Sequence, residues 1–112
     1  MRLKLLAPVG RLAMPAGYWH NPDLSEASPC HLTFDDGPFP ETTPYLLELL
    51  EAAGIKATFF FMGSNILKHP KLAAMTASAG HEIGNHTHNH FPLPTISDKA
   101  FENELDGTND LI

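Results

Sequence analysis

At 112 residues the chain holds one domain at most, and its charged and apolar fractions are those of an ordinary folded protein rather than a disordered or collagen-like one. A formal net charge of -6, with 7 Lys and Arg scattered and never in a run, excludes the basic stripe that a nucleic-acid partner requires. The lone cysteine, Cys30, excludes an internal disulfide.

The stretch from Met1 to Ala13 has a basic start, but Pro8 and Arg11 interrupt its apolar run. The run stays too short for a secretory leader and far too short to span a bilayer. Neither is expected, and location defaults to the cytoplasm. Residues 1–29 carry Pro8, Pro15, Pro22 and Pro29 without sustained periodicity, so they predict an arm or linker anchored by Trp19. From Cys30 onward, over 30–112, strand and helix patterns alternate. His31-Leu32-Thr33-Phe34 predicts a short strand, and Cys30 before it a small buried residue. Thr43 can cap a helix with Pro44 at its first position, Leu46, Leu47, Leu49, Leu50 and Ala53 on its apolar face, and Gly54 as its stop.

Ala57-Thr58-Phe59-Phe60-Phe61-Met62 is an unbroken apolar run, the pattern of a strand buried on both faces. Ser64 or Asn65 opens a helical stretch that Pro70 restarts and Gly80 ends. His81-Glu82-Ile83-Gly84-Asn85 is a weaker third strand, and Ser97 caps a last helix with Phe101, Leu105, Thr108 and Ile112 on one side. Strands alternating with helices predict βαβ units on a parallel sheet, an α/β fold.

Chemistry concentrates after two of these strands. Thr33-Phe34-Asp35-Asp36-Gly37-Pro38 puts adjacent carboxylates at the end of the first, where parallel α/β folds gather functional groups. Asp and Gly are also ordinary turn formers. The third strand runs into His86-Thr87-His88-Asn89-His90, and a helical turn would set His86 and His90 on one face, as in zinc sites. Such a pair is also compatible with two surface histidines. If the loops share a rim, one carboxylate and the two imidazoles form a three-ligand metal site with an open position, and the second carboxylate is left as a base. Thr87 can fix the loop by bonding backbone, His88 points elsewhere, and His20, His31, His69 and His81 are structural or exposed.

Together with Lys56-Ala57-Thr58-Phe59-Phe60 and Gly80-His81-Glu82-Ile83-Gly84-Asn85-His86-Thr87, these motifs resemble the NodB-homology polysaccharide deacetylases, carbohydrate esterase family four. The likeness runs from about Leu32 to Ile112. It implies a distorted parallel-strand (β/α) barrel, here its first three or so βα units, an incomplete barrel. It also implies Asp35 as general base and Asp36, His86 and His90 as ligands of one divalent ion, usually zinc and in some members cobalt or another metal. The implied reaction is hydrolysis of N-acetyl groups from N-acetylated sugars such as chitin or peptidoglycan. The family's Arg-Pro, Asp-Trp and Leu-x-x-His elements, the last carrying the general acid, are not in these residues. A truncated domain with impaired activity and self-association through an exposed sheet edge is the resulting expectation. Members of the family are often exported. A metal-dependent hydrolase of small non-peptide C–N bonds and a non-catalytic fragment are the alternatives.

Overall fold

A computed structural model describes residues 30–112; the arm expected over 1–29, its anchor Trp19, and His20 lie outside the described residues. In chain order the elements are β1 (Thr33–Asp35), α1 (Thr43–Ala53), β2 (Thr58–Phe61), α2 (Gly63–Lys68), α3 (Pro70–Ser78), β3 (Glu82–Asn85), a 3-10 turn (Leu93–Thr95) and α4 (Asp98–Asn109). The strands form one parallel sheet in the order β1-β2-β3. Thr33 lies opposite Thr58 and Thr58 opposite Glu82, so the strands run level to Asp35, Phe60 and Gly84.

β2 forms the middle of the core. Alternation along the strand turns Phe59 and Phe61 to the same face, where each is 1 % exposed, among Leu47, Leu50, Ile66 and Ala73. Burying each ring is worth about 1.5–3 kcal/mol, so these two positions anchor the sheet against its helices. Phe60 takes the other face and stays half-buried over Gly84, where a Cβ would meet its ring at 2.5 Å.

Helix boundaries follow local chemistry, with one revision. Thr43, expected as the cap of α1, is instead its first helical residue. Its N–H already bonds the Phe39 carbonyl at 2.9 Å, and its hydroxyl turns back to accept from the Phe39 N–H at 2.9 Å. Gly54 ends α1 with φ 65, the left-handed turn glycine makes at least cost. Ser97 caps α4, its hydroxyl accepting from the Ala100 N–H at 3.2 Å.

Two burial expectations change, for α1 and for Cys30. The apolar face of α1 narrows to Leu47 and Leu50 with Leu46 partly covered; Leu49 and Ala53 are exposed because only one stripe of the helix meets the core. On α4 the buried side chains are Glu104 and Thr108, while Phe101 and Leu105 are half-buried and Ile112 is exposed. Cys30 is exposed rather than buried, because it precedes β1 in a segment that belongs to no element.

Candidate metal centre

Asp36 follows β1 and His86 follows β3, at the same end of the sheet. β2 lies between those strands, so their ends stand about 10 Å apart, two spacings of about 4.8 Å. The loops must therefore bend over the end of β2 to meet. Asp36 does this with φ 70, a left-handed conformation uncommon outside glycine. Gly37 then crosses Phe61 so closely that a Cβ would meet the ring at 2.8 Å, and its carbonyl accepts from the Met62 N–H at 2.9 Å.

The histidine loop does not use the helical turn that would set an i, i+4 pair on one face. It is irregular, with Thr87 at φ 63 and His90 at φ 57. Those two left-handed residues fold the chain back, so that the His86 and His90 rings lie 4.9 Å apart by a route other than helix. The Thr87 hydroxyl accepts from the His90 N–H at 3.1 Å, the backbone-fixing role expected of it.

The result is a convergence on one atom. Asp36 Oδ1 is 3.1 Å from His86 Nε2 and 3.4 Å from His90 Nε2. Among the described residues, these are the three groups whose ligand atoms gather within 4.8 Å of one another. Two imidazole nitrogens facing one carboxylate oxygen are bridged either by ring N–H donors or by a shared cation. The donor set fits a cation. Zinc bonds of about 2.0–2.1 Å in a tetrahedron place ligand atoms about 3.3 Å apart, and two imidazoles with a carboxylate form a common catalytic zinc triad. His86 is the most covered of the three and the other two face solvent. Asp35, at the last position of β1, is exposed and outside the cluster.

The family model described as polysaccharide deacetylase matches residues 25–112. The chain belongs to the polysaccharide deacetylase family. It is 43% identical over 96 residues to a peptidoglycan-N-acetylglucosamine deacetylase of Bacillus cereus, an alignment covering 83% of this chain and 44% of that protein. It is 40% identical over 82 residues to a chitooligosaccharide deacetylase of Rhizobium leguminosarum bv. trifolii, covering 73% and 38% respectively. A crystal structure of a peptidoglycan N-acetylglucosamine deacetylase with a bound N-hydroxybenzamide superimposes with TM-score 0.71 at 41% identity, over 72% of this chain and 38% of that one. The chain thus spans less than half the length of these relatives. Its three-stranded parallel α/β arrangement matches their barrel in part, and the family is generally metal-dependent.

In this member of the family a ring of residues, most of them outside the quoted motifs, holds both loops. Asn65, buried on α2, donates to the Asp36 carbonyl at 2.9 Å. The first N–H groups of α2, from Gly63 and Ser64, donate to the carbonyls of Thr87 and His88 at 3.0 Å each. Asn85 accepts from the Thr87 N–H and donates to the Leu105 carbonyl and to Asn109 Oδ1, each at 2.8 Å. Glu104, 8% exposed, accepts from the His88 N–H at 3.0 Å, from the Asn89 N–H, and from the Asn89 amide at 2.7 Å. Burial pushes its carboxyl up, but the hydrogen bonds from Asn89 and His88 and the charge on His88 together outweigh that and hold it below the usual range. In sequence Glu104 looks like a solvated charge on α4, and only its i, i+4 spacing to Thr108 hints at a buried face.

His88 turns away from the three converging groups, and its buried Nδ1 has no hydrogen-bond partner among the described residues. Its ring fills the space over Gly63, where a Cβ would collide with it and with the Thr108 hydroxyl. His81 is buried, accepts from the Ala57 N–H through Nδ1 at 3.2 Å, and stacks edge-on against Phe59. His31 bonds the Thr58 hydroxyl at 2.8 Å at the opposite end of the sheet.

Proposed function

We propose that this chain carries the metal site of a hydrolase that removes N-acetyl groups from N-acetylated saccharides, with Asp36, His86 and His90 holding one divalent ion, zinc first. The observation that carries this reading is the convergence of both imidazoles on one Asp36 oxygen, at 3.1 and 3.4 Å. A bound divalent ion supplies Lewis-acid and water-activating chemistry at such a site. Asp35 takes the proton from the attacking water as general base. Its place next to Asp36, exposed at the same strand end, supports that role. No residue of this chain is assigned to protonating the departing amine. Acetate release by these residues is therefore expected to run about 10²–10⁴ below that of an enzyme holding such an acid.

The Asp36 and His90 side chains are 55% and 56% exposed. Beside them lies a hollow of about 410 Å³ lined in part by Phe91, Leu93 and Phe101, apolar surface on which a sugar ring can rest. The proposal includes self-association. Among the described residues β1 and β3 each leave one edge unpaired, and unpaired edges recruit further strands. No described helix is long and apolar enough to cross a membrane.

Calorimetric titration of the metal-free chain with zinc, beside Asp36→Ala, tests the site. One ion per chain, lost in the variant, is the expected result. A folded chain that takes up no zinc overturns it. Acetate release from acetylated chito-oligomers, above the Asp36→Ala background, then separates a catalyst from a fragment that only binds metal.

A further inference from the structure

We infer that Glu104 is a positioning residue for the metal centre, setting the spacing of His86 and His90 through the backbone between them while touching neither ring. The inference rests on the metal reading above and adds to it a residue from α4. Between the two imidazoles run Thr87, His88 and Asn89. Their carbonyls and N–H groups are held from opposite sides. The first turn of α2 takes the Thr87 and His88 carbonyls. The Glu104 carboxylate takes the His88 and Asn89 N–H groups with one oxygen and the Asn89 amide with the other.

A buried carboxylate is costly unless its oxygens are satisfied, and here every partner in hand comes from the histidine loop. The loop is strained in return, with left-handed Thr87 and His90 on either side of the held segment. A segment held in that conformation needs a strong, directional clamp, and hydrogen bonds to an ionised acceptor are the stronger kind. The His88 ring packs over Gly63 beneath the held backbone, outside the hydrogen bonds that fix it. Residues that orient ligands without binding the ion typically govern about 10–100-fold of metal affinity.

The test compares the 112-residue chain with Glu104→Gln, Asn89→Ala and Leu50→Ala. Zinc affinity, the visible spectrum of the cobalt-loaded chain and thermal melting are read for each. Glu104→Gln keeps size and burial but turns an amide NH₂ toward a donor. It should weaken zinc by about 10–100-fold and alter the cobalt bands. Asn89→Ala takes the partner from the second Glu104 oxygen and should still weaken zinc measurably, by up to about tenfold. Leu50→Ala lowers stability far from the loop and should leave affinity and spectrum unchanged. In the metal-free chain, hydrogen exchange at the His88 and Asn89 amides should speed up in Glu104→Gln and not in Leu50→Ala.

Wild-type zinc affinity and cobalt spectrum in a folded Glu104→Gln overturn the positioning role even if its melting temperature falls. If Glu104→Gln does not fold, unchanged affinity in Asn89→Ala overturns it instead. A wild-type chain that binds no zinc sinks the metal reading itself, and this inference with it, which sets that failure apart from a failure of Glu104 alone.

Discussion

Asn65 and Asp36 are joined by a hydrogen bond of 2.9 Å from the Asn65 amide to the Asp36 carbonyl. The helix that carries Asn65 also receives the Thr87 and His88 carbonyls on its first N–H groups. One short helix after β2 thus ties the carboxylate loop after β1 to the histidine loop after β3. The middle strand separates the outer two, and the helix that follows it fastens their loops together. Left-handed backbone at Asp36, Thr87 and His90 is the strain that this fastening sustains.

The first prediction separates the three converging groups from their neighbour. Asp36→Ala, His86→Ala and His90→Ala should each weaken zinc by more than the roughly 100-fold upper range of outer-sphere changes. His88→Ala should leave affinity within a few-fold, since the His88 ring lies outside the cluster, while lowering stability by the loss of its packing on Gly63. Parallel zinc titrations and melts of the four variants check this. Equal losses of affinity across all four would remove the distinction between ligands and packing.

The second concerns Asp35. It shares a strand end with Asp36 but stands outside the converging group. Asp35→Asn should therefore hold zinc as well as wild type while acetate release falls by about 10²–10⁴, the usual contribution of a general base. A variant with unchanged zinc affinity and undiminished release would take the role of base away from Asp35.

Much of this arrangement was legible from residue patterns, and what was not has physical causes. The β2 run of Phe59, Phe60 and Phe61, the Gly54 stop and the Ser97 cap follow from periodicity and local chemistry, and each stands where those rules put it. The meeting of Asp36 with His86 and His90 was expected only on condition that the two loops share a rim. The histidines meet through irregular backbone rather than on the helical turn that would also bring an i, i+4 pair to one face. Nothing in Thr87 or His90 as residue types announces left-handed backbone, which tertiary contacts impose. Glu104 was passed over because a carboxylate on an amphipathic helix is ordinarily solvated. Its burial depends on donors from a loop remote in sequence.

The third prediction addresses the close approach under the histidine loop. Gly63 opens α2 beneath His88, and a Cβ there would collide with His88 Nδ1 and Thr108 Oγ1. Both neighbours are pinned, His88 by its backbone bond to Glu104 and Thr108 by its hydroxyl bond to the Glu104 carbonyl at 3.2 Å. Gly63→Ala should therefore destabilise the fold by about 1–3 kcal/mol, the range for overpacking, despite the better helix propensity of alanine. Chemical denaturation measures this. A variant as stable as wild type would show that the loop yields freely and that the contact is not a constraint.

The last prediction is a pH dependence centred on His81, at the start of β3 and away from the metal centre. Burial, and secondarily the positive charge of Lys56, hold its imidazole below the ordinary value of 6.5. The neutral ring is also what the fold uses, since Nδ1 must keep a lone pair to accept from the Ala57 N–H. The folded state therefore binds this proton more weakly than the unfolded chain does. Above 6.5 both states hold the ring neutral and the stabilising contribution is complete. As pH falls below 6.5 the unfolded chain takes up the proton first, and stability is lost progressively down through the lower folded value. His81→Asn keeps an acceptor for Ala57 and removes the titration. Its stability should be less pH-dependent than wild type between about pH 7 and pH 5, with the difference between the two proteins largest at the neutral end. Urea denaturation of both, in the absence of metal and at several pH values, gives the comparison. Parallel pH profiles for the two proteins would show that His81 does not contribute to the acid sensitivity of the fold.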